Sequence, residues 1–144
     1  MNQARIDDLK SKGELRKRSP DPARAASLIQ AAMDSAAFAT ATPLNEQTST
    51  GIFKAVYDAF RQLSDARWWQ EGYEAFSHKA SIDLLKTAPV SEQSRLQQLS
   101  RAMDLRNDAS YRGYRIPVRE TELLIALWNE TSEELIAWAG KRER

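Results

Sequence analysis

Apolar residues recur at three- and four-residue intervals along nearly the whole chain, and no stretch alternates with the period of two that marks a half-buried strand. Ile6 and Leu9 predict a short opening helix that stops near Gly13. Asp21-Pro22 then predicts a helix start, because aspartate accepts the free amide hydrogens of the first turn and proline suits the first helical position. That helix runs to about Ala41 and is rich in alanine, with Leu28, Ile29, Ala32, Met33 and Ala36 as its expected inner face. Pro43 ends it, and Thr48, Ser49 and Thr50 offer alternative caps for a long third helix.

Two apolar stripes lie side by side on the third helix. Ile52, Val56, Ala59, Leu63 and Ala66 make one; Phe53, Tyr57 and Phe60 make the other. So wide a face suits a central helix or one buried against two partners. It also suggests a surface completed by a second subunit in a twofold dimer. Gly72 closes this helix, and a fourth spans about Ser77 to Thr87 with Ala80, Ile82, Leu84 and Leu85. Pro89 breaks the chain, and Ser91 is the expected cap of a fifth helix with the stripe Leu96, Leu99 and Met103. Arg112 to Pro117 reads as a connector, and the last helix runs from Val118 to about Ala139 with Leu124, Leu127, Leu135 and Trp138 inward. The predicted fold is all-α, an antiparallel up-and-down bundle of four to five main helices plus a short N-terminal helix. Residues 1–144 form one domain.

Composition narrows the chemistry. The 144 residues carry 21 basic and 20 acidic side chains, so no strong nucleic-acid or membrane field belongs to the whole surface and any anion binding must be local. Cysteine is absent and there is a single histidine, which excludes thiolate and multi-histidine metal sites within one chain. No metal or cofactor is implied. No apolar run approaches the roughly 20 residues of a membrane span, and the N-terminus lacks the apolar core of a signal peptide. The expectation is a cytoplasmic protein with no membrane association.

The densest chemistry lies in Leu105-Arg106-Asn107-Asp108-Ala109-Ser110-Tyr111. Leu99, Met103 and Arg106 share one helix face, so the guanidinium leaves the helix on the core side. Arginine is rarely buried unpaired, so it should meet a polar pocket, an anionic ligand, or a carboxylate on a neighbouring helix or subunit. Arg112, Arg115 and Arg119 surround this segment, and together with Arg106 they are the most plausible phosphate-contacting patch. His78 reads as a packing or capping residue or as part of a candidate pocket with Tyr114. Asp58, Arg61 and Asp65 read as surface ion pairs of the third helix. Trp68-Trp69 reads as one ring in the core and one over a seam.

The order of these features resembles the HEPN domain (higher eukaryotes and prokaryotes nucleotide-binding). The resemblance rests on the charged opening helix Asp7 to Leu15, the capped helix from Asp21, and the long helix through Gly51-Ile52-Phe53-Lys54-Ala55-Val56-Tyr57-Asp58-Ala59-Phe60-Arg61. It continues with His78-Lys79-Ala80 and the arginine–asparagine pair before the last helix, covering roughly Ile6 to Ala139. The ribonuclease branch of that family carries Arg-Asn-x-x-x-His, often with a tyrosine two residues later. Arg106 and Asn107 match the first two positions, Tyr111 stands at the histidine, Gly113 at the later tyrosine, and Tyr114 one residue beyond. The resemblance implies Arg106, Asn107 and Tyr111 as catalytic residues, and Arg106, Arg112 and Arg115 as the groups that bind RNA or nucleotide phosphate. A phenol of pKa about 10 moves protons poorly near pH 7, so metal-independent RNA cleavage is expected to be weak or absent. The implied setting is a homodimeric component of a prokaryotic toxin–antitoxin or defence-type module with a nucleotidyltransferase-type antitoxin partner. The rival expectations are a non-enzymatic dimeric module that holds such a protein partner, and a helical bundle with no ligand.

Overall fold

The computed structural model describes residues 1–142. Six α-helices follow in order: α1 (Gln3–Ser11), α2 (Pro22–Ala41), α3 (Ser49–Gln70), α4 (His78–Leu85), α5 (Gln98–Arg112) and α6 (Val118–Gly140). They form the predicted all-α helical bundle. No helix among the described residues is long and apolar enough to cross a membrane.

The helix starts have local causes. The Asp21 carboxylate accepts the Arg24 amide hydrogen at 3.0 Å, with Pro22 opening the helix. The Ser77 hydroxyl accepts the Ala80 amide hydrogen at 3.0 Å and so sets His78 as the first residue of α4. Each bond satisfies an amide that the first helical turn leaves free.

Helix α3 is the axis of the molecule and packs against α2, α4, α5 and α6. Every residue of its two apolar stripes is buried, from Ile52 and Phe53 to Leu63 and Ala66. Helix α2 approaches through Ala25, Ala32, Ala36 and Ala39, whose small side chains let the two backbones lie close. Met33, expected inside, is instead 44% exposed; alanines already fill the seam and leave no room for a longer side chain. Because α3 is covered within its own chain, its wide apolar face is not a surface that awaits a second subunit.

Two further expectations are corrected. First, the chain contains strands: β1 (Leu15–Lys17) pairs antiparallel with β2 (Tyr73–Ala75), with Leu15 opposite Ala75 and Lys17 opposite Tyr73. Three residues are too few to show an alternating pattern, and the pairing partner lies far away in sequence. Gly72 makes the turn into β2 with φ +83°, and a Cβ there would stand 3.0 Å from the Arg18 carbonyl oxygen, so only glycine fits. Second, Ser91 does not cap α5. Its amide and hydroxyl donate to the Glu134 carboxylate on α6 at 3.0 and 3.3 Å, and a 3-10 helix, Gln93–Gln97, precedes α5 with Leu96 buried.

A smaller cluster of Ile6, Leu9, Leu15, Trp68, Ala80 and Leu84 ties α1 and the small sheet to α3 and α4. Trp68 lies in it and donates its indole hydrogen to the Ala80 carbonyl at 3.1 Å, whereas Trp69 joins the main core beneath the Arg24 guanidinium. Both indoles are therefore buried, one in each cluster, so the expected division into a core ring and a seam ring does not hold.

The contrast between α3 and the outer face of α2 is measurable. Leu63→Ala should cost about 2–5 kcal/mol, whereas Met33→Ala should stay within about 0.5 kcal/mol of the parent in urea unfolding. Equal losses in the two variants would contradict the assignment of α3 as the core helix.

Candidate functional site

Polar side chains interrupt the apolar face of α3 at four-residue intervals: Tyr57, Arg61 and Asp65, with Asp58 beside them. This spacing places the first three along one side of the helix, one turn apart. Helix α4 brings His78 and Ser81 to the same side, and α5 brings Arg106.

His78 is held at both ring nitrogens. Arg61 Nη1 donates to Nε2 at 2.7 Å, and Tyr57 Oη lies 2.9 Å from Nδ1, its ring stacked on the imidazole at a centroid distance of 5.7 Å. A guanidinium can only donate, so Nε2 must be the unprotonated nitrogen. The proton of the neutral ring therefore resides on Nδ1, which donates to Tyr57 Oη. The phenol hydrogen is thereby left available to another acceptor.

Electrostatics favour the same state. Burial, then the positive charges of Arg61 and Arg106, push the His78 pKa below its ordinary value against the weaker pull of Asp58. Burial pushes the Tyr57 phenol well above its usual range, although Arg61 and Arg106 act in the opposite sense. Asp65 is also raised by burial, against a 2.5 Å hydrogen bond from Ser81 Oγ and the charge of Arg61, whose Nε lies 3.7 Å away. Arg61, Asp65, Ser77, His78 and Ser81 line a cavity of about 240 Å³, with Ala75 and Phe76 at its margin. Arg106 acts electrostatically on both Tyr57 and His78, yet its buried Nε has no hydrogen-bond partner in the structure. A buried donor without an acceptor is costly and marks a position where an acceptor would be stabilised.

The residues singled out from sequence separate into two groups. Arg106 is half-buried and near enough for its charge to act on His78 and Tyr57, but it does not line the His78 cavity; Asn107, also half-buried, follows it on α5. Tyr111 is 82% exposed. Five residues correspond to about 500° around a helix, so Tyr111 points roughly 140° away from Arg106. Arg112 stacks over Tyr114 at 6.0 Å, and both are exposed at the end of α5. Arg115 lines a different cavity with Glu46, Ile116, Pro117 and Val118. The Ile116 amide donates to Thr50 Oγ1 at 2.9 Å, which anchors this connector about 10 Å along α3 from Tyr57. His78 belongs to the candidate pocket and Tyr114 does not line it.

Tyr57 and Arg61 were hidden in sequence because they sit within an apolar stripe and an apparent surface ion-pair series. The signal that would have found them is the four-residue repeat of Tyr57, Arg61 and Asp65, three hydrogen-bonding groups on a helix otherwise buried. Among the described residues, no group of three or more His, Asp or Glu side chains is placed to hold a metal ion. Compared with family models, curated proteins and solved structures, the chain matches none of them.

As the single histidine, His78 gives a clean titration. Its native pKa lies below the unfolded value of about 6.5, so the unfolded chain takes up the proton first. The associated stability is complete above that pH and is lost as pH falls through the native pKa. Relative to His78→Gln, the parent protein should therefore lose stability below about pH 6.5, and its imidazole should titrate low as the Nδ1–H tautomer in NMR spectra. A constant stability difference from pH 7 to 5, or an Nε2–H tautomer, would contradict the arrangement. Asp65 has the opposite sign: its raised pKa contributes stability that fades as pH rises through that value, a window nearer the carboxylate range.

Proposed function

We propose that this protein binds the phosphate of RNA or of a nucleotide between the guanidinium groups of Arg106 and Arg61, next to His78. The observation that carries the reading is the buried, unpartnered Nε of Arg106 beside a neutral imidazole that already lies in the field of two guanidinium groups. An anion there would accept from Arg106 and offset the two positive charges that, after burial, hold the His78 pKa down. Charge-assisted bonds to two planar guanidinium groups suit a phosphate, whose oxygens accept several donors at once. Asp58 and Asp65 limit the net positive charge of the site, which favours one phosphate over a long stretch of backbone.

The resemblance to HEPN domains supports the same assignment and extends it to a component of a prokaryotic toxin–antitoxin or defence-type module, working as a homodimer. Metal-independent cleavage of RNA is weak or absent in this reading. Tyr111 points away from Arg106, and the one imidazole near the phosphate position has its basic nitrogen occupied by Arg61. One observation favours a second reading. Tyr111, Arg112 and Tyr114 form an exposed aromatic and cationic group of the kind enriched in protein interfaces, as a module holding a nucleotidyltransferase-type partner would need.

Arg106→Ala and Arg61→Ala should each weaken binding of a short RNA or nucleotide about 10- to 150-fold, the loss of a hydrogen bond to a charged group. Arg106→Lys should recover little of it. Tyr111→Ala should leave nucleotide binding intact and reduce partner binding only. Unchanged RNA affinity in Arg106→Ala would remove the proposed site. Brisk cleavage in EDTA that survives Arg106→Ala would overturn the account of activity. Light scattering at tens of micromolar should give twice the monomer mass.

A further inference from the structure

The cavity that Arg61 and His78 line also holds a side chain that the phosphate chemistry leaves unused. Phe76 follows β2, two residues before His78, and is 48% exposed at the margin of the cavity that contains Arg61 and His78. An exposed phenyl ring beside a polar cavity has no packing role that requires it. Its position is nonetheless constrained from two sides. The Phe76 amide donates to the Glu14 carbonyl at 2.8 Å, extending the small sheet by one bond, and the Arg16 guanidinium lies 4.6 Å from the ring centroid. Arg16 belongs to the basic run Arg16-Lys17-Arg18, which β1 carries to this edge by pairing with β2. One face of the ring is thus covered by a cation, and its exposed surface is the remaining face and edge.

We infer that Phe76, braced by Arg16, is a stacking platform for the nucleobase whose phosphate occupies the Arg61–His78–Arg106 cluster, so that the ligand is a nucleotide unit and not a phosphate ester in general. The inference rests on the phosphate reading above and adds the base subsite to it. Phe76 and His78 stand two residues apart with Ser77 extended between them, and both line the cavity that Arg61 enters, so a base subsite at Phe76 adjoins the phosphate subsite. Every base presents a π-face, so the platform selects nucleotides without selecting sequence. The arginine at the second face of the phenyl polarises the ring and fixes its orientation, which lowers the ordering needed on binding.

Calorimetric titration with AMP and with ribose 5-phosphate separates the two layers of the proposal. AMP should bind about 5- to 150-fold more tightly than ribose 5-phosphate, the range that base–aromatic stacking supplies. Phe76→Ala should remove that advantage while leaving ribose 5-phosphate affinity unchanged, and Phe76→Trp should retain or increase it. The surface position of Phe76 makes the variants foldable, and the single His78 resonance reports the intact site in each. Equal binding of the two ligands by the parent protein, or an AMP preference that survives Phe76→Ala, would overturn the base platform while leaving the phosphate site standing. Binding of neither ligand, together with no binding of short RNA, would overturn both.

Discussion

The packing of α3 against four other helices is the constraint on which the rest of the molecule depends. Where α2, α4, α5 and α6 cover it, the helix must present either apolar groups or partnered polar ones. Its sequence does both. Aliphatic and aromatic residues fill most of the surface, and Tyr57, Arg61 and Asp65 are satisfied by groups from α4. At the start of the helix Ser49 and Thr121 play the same part, joining α3 to α6 through a buried 2.7 Å hydroxyl pair. The core and the candidate site are two consequences of one packing problem.

Seen electrostatically, the polar patch is incompletely compensated. The His78 imidazole spends both nitrogens on Arg61 and Tyr57 and remains neutral, so it supplies no positive charge and neutralises none. Asp65 is drawn toward its protonated form by burial and is engaged by Ser81. Arg106 enters from α5 with a buried donor that none of these groups meets. Protein interiors seldom leave such a donor unpaired, because the desolvation cost is not recovered. Among the described residues only the Gln62 carbonyl oxygen on α3 shares this condition, and it is an acceptor, so Arg106 carries the one buried side-chain donor left unmet.

The small sheet links that region to the periphery. β1 and β2 contribute little apolar burial of their own apart from Leu15, yet their pairing holds the loop that ends in the Ser77 cap and the start of α4. The left-handed glycine at position 72 and the hydrogen bond from the Arg18 amide to its carbonyl, at 2.8 Å, secure the turn. His78 therefore owes its place to strand pairing as well as to helix capping.

Periodicity and capping are local properties, and they determined most helix bounds closely, though not the start of α5: Pro22–Ala41 follows from Asp21-Pro22 and Pro43, and Val118 opens α6 directly after Pro117. The buried stripes of α3 were equally legible, since burial on that helix follows from residue type and spacing alone. Where residues far apart in sequence had to meet, the sequence was silent or misleading. It showed no strand at Leu15–Lys17, because three residues carry no pattern without their partner at Tyr73–Ala75. It placed Arg106 on the core side of its helix but paired it with Tyr111, and five residues of helical rotation send that phenol to solvent. Only the tertiary structure decided that Arg106 would lie near His78, that Arg61 would leave the surface to cap the imidazole, and that Arg115 would belong elsewhere. The physical reason is that helix formation depends on neighbours within one turn, whereas the electrostatic environment of a side chain depends on which helices pack together.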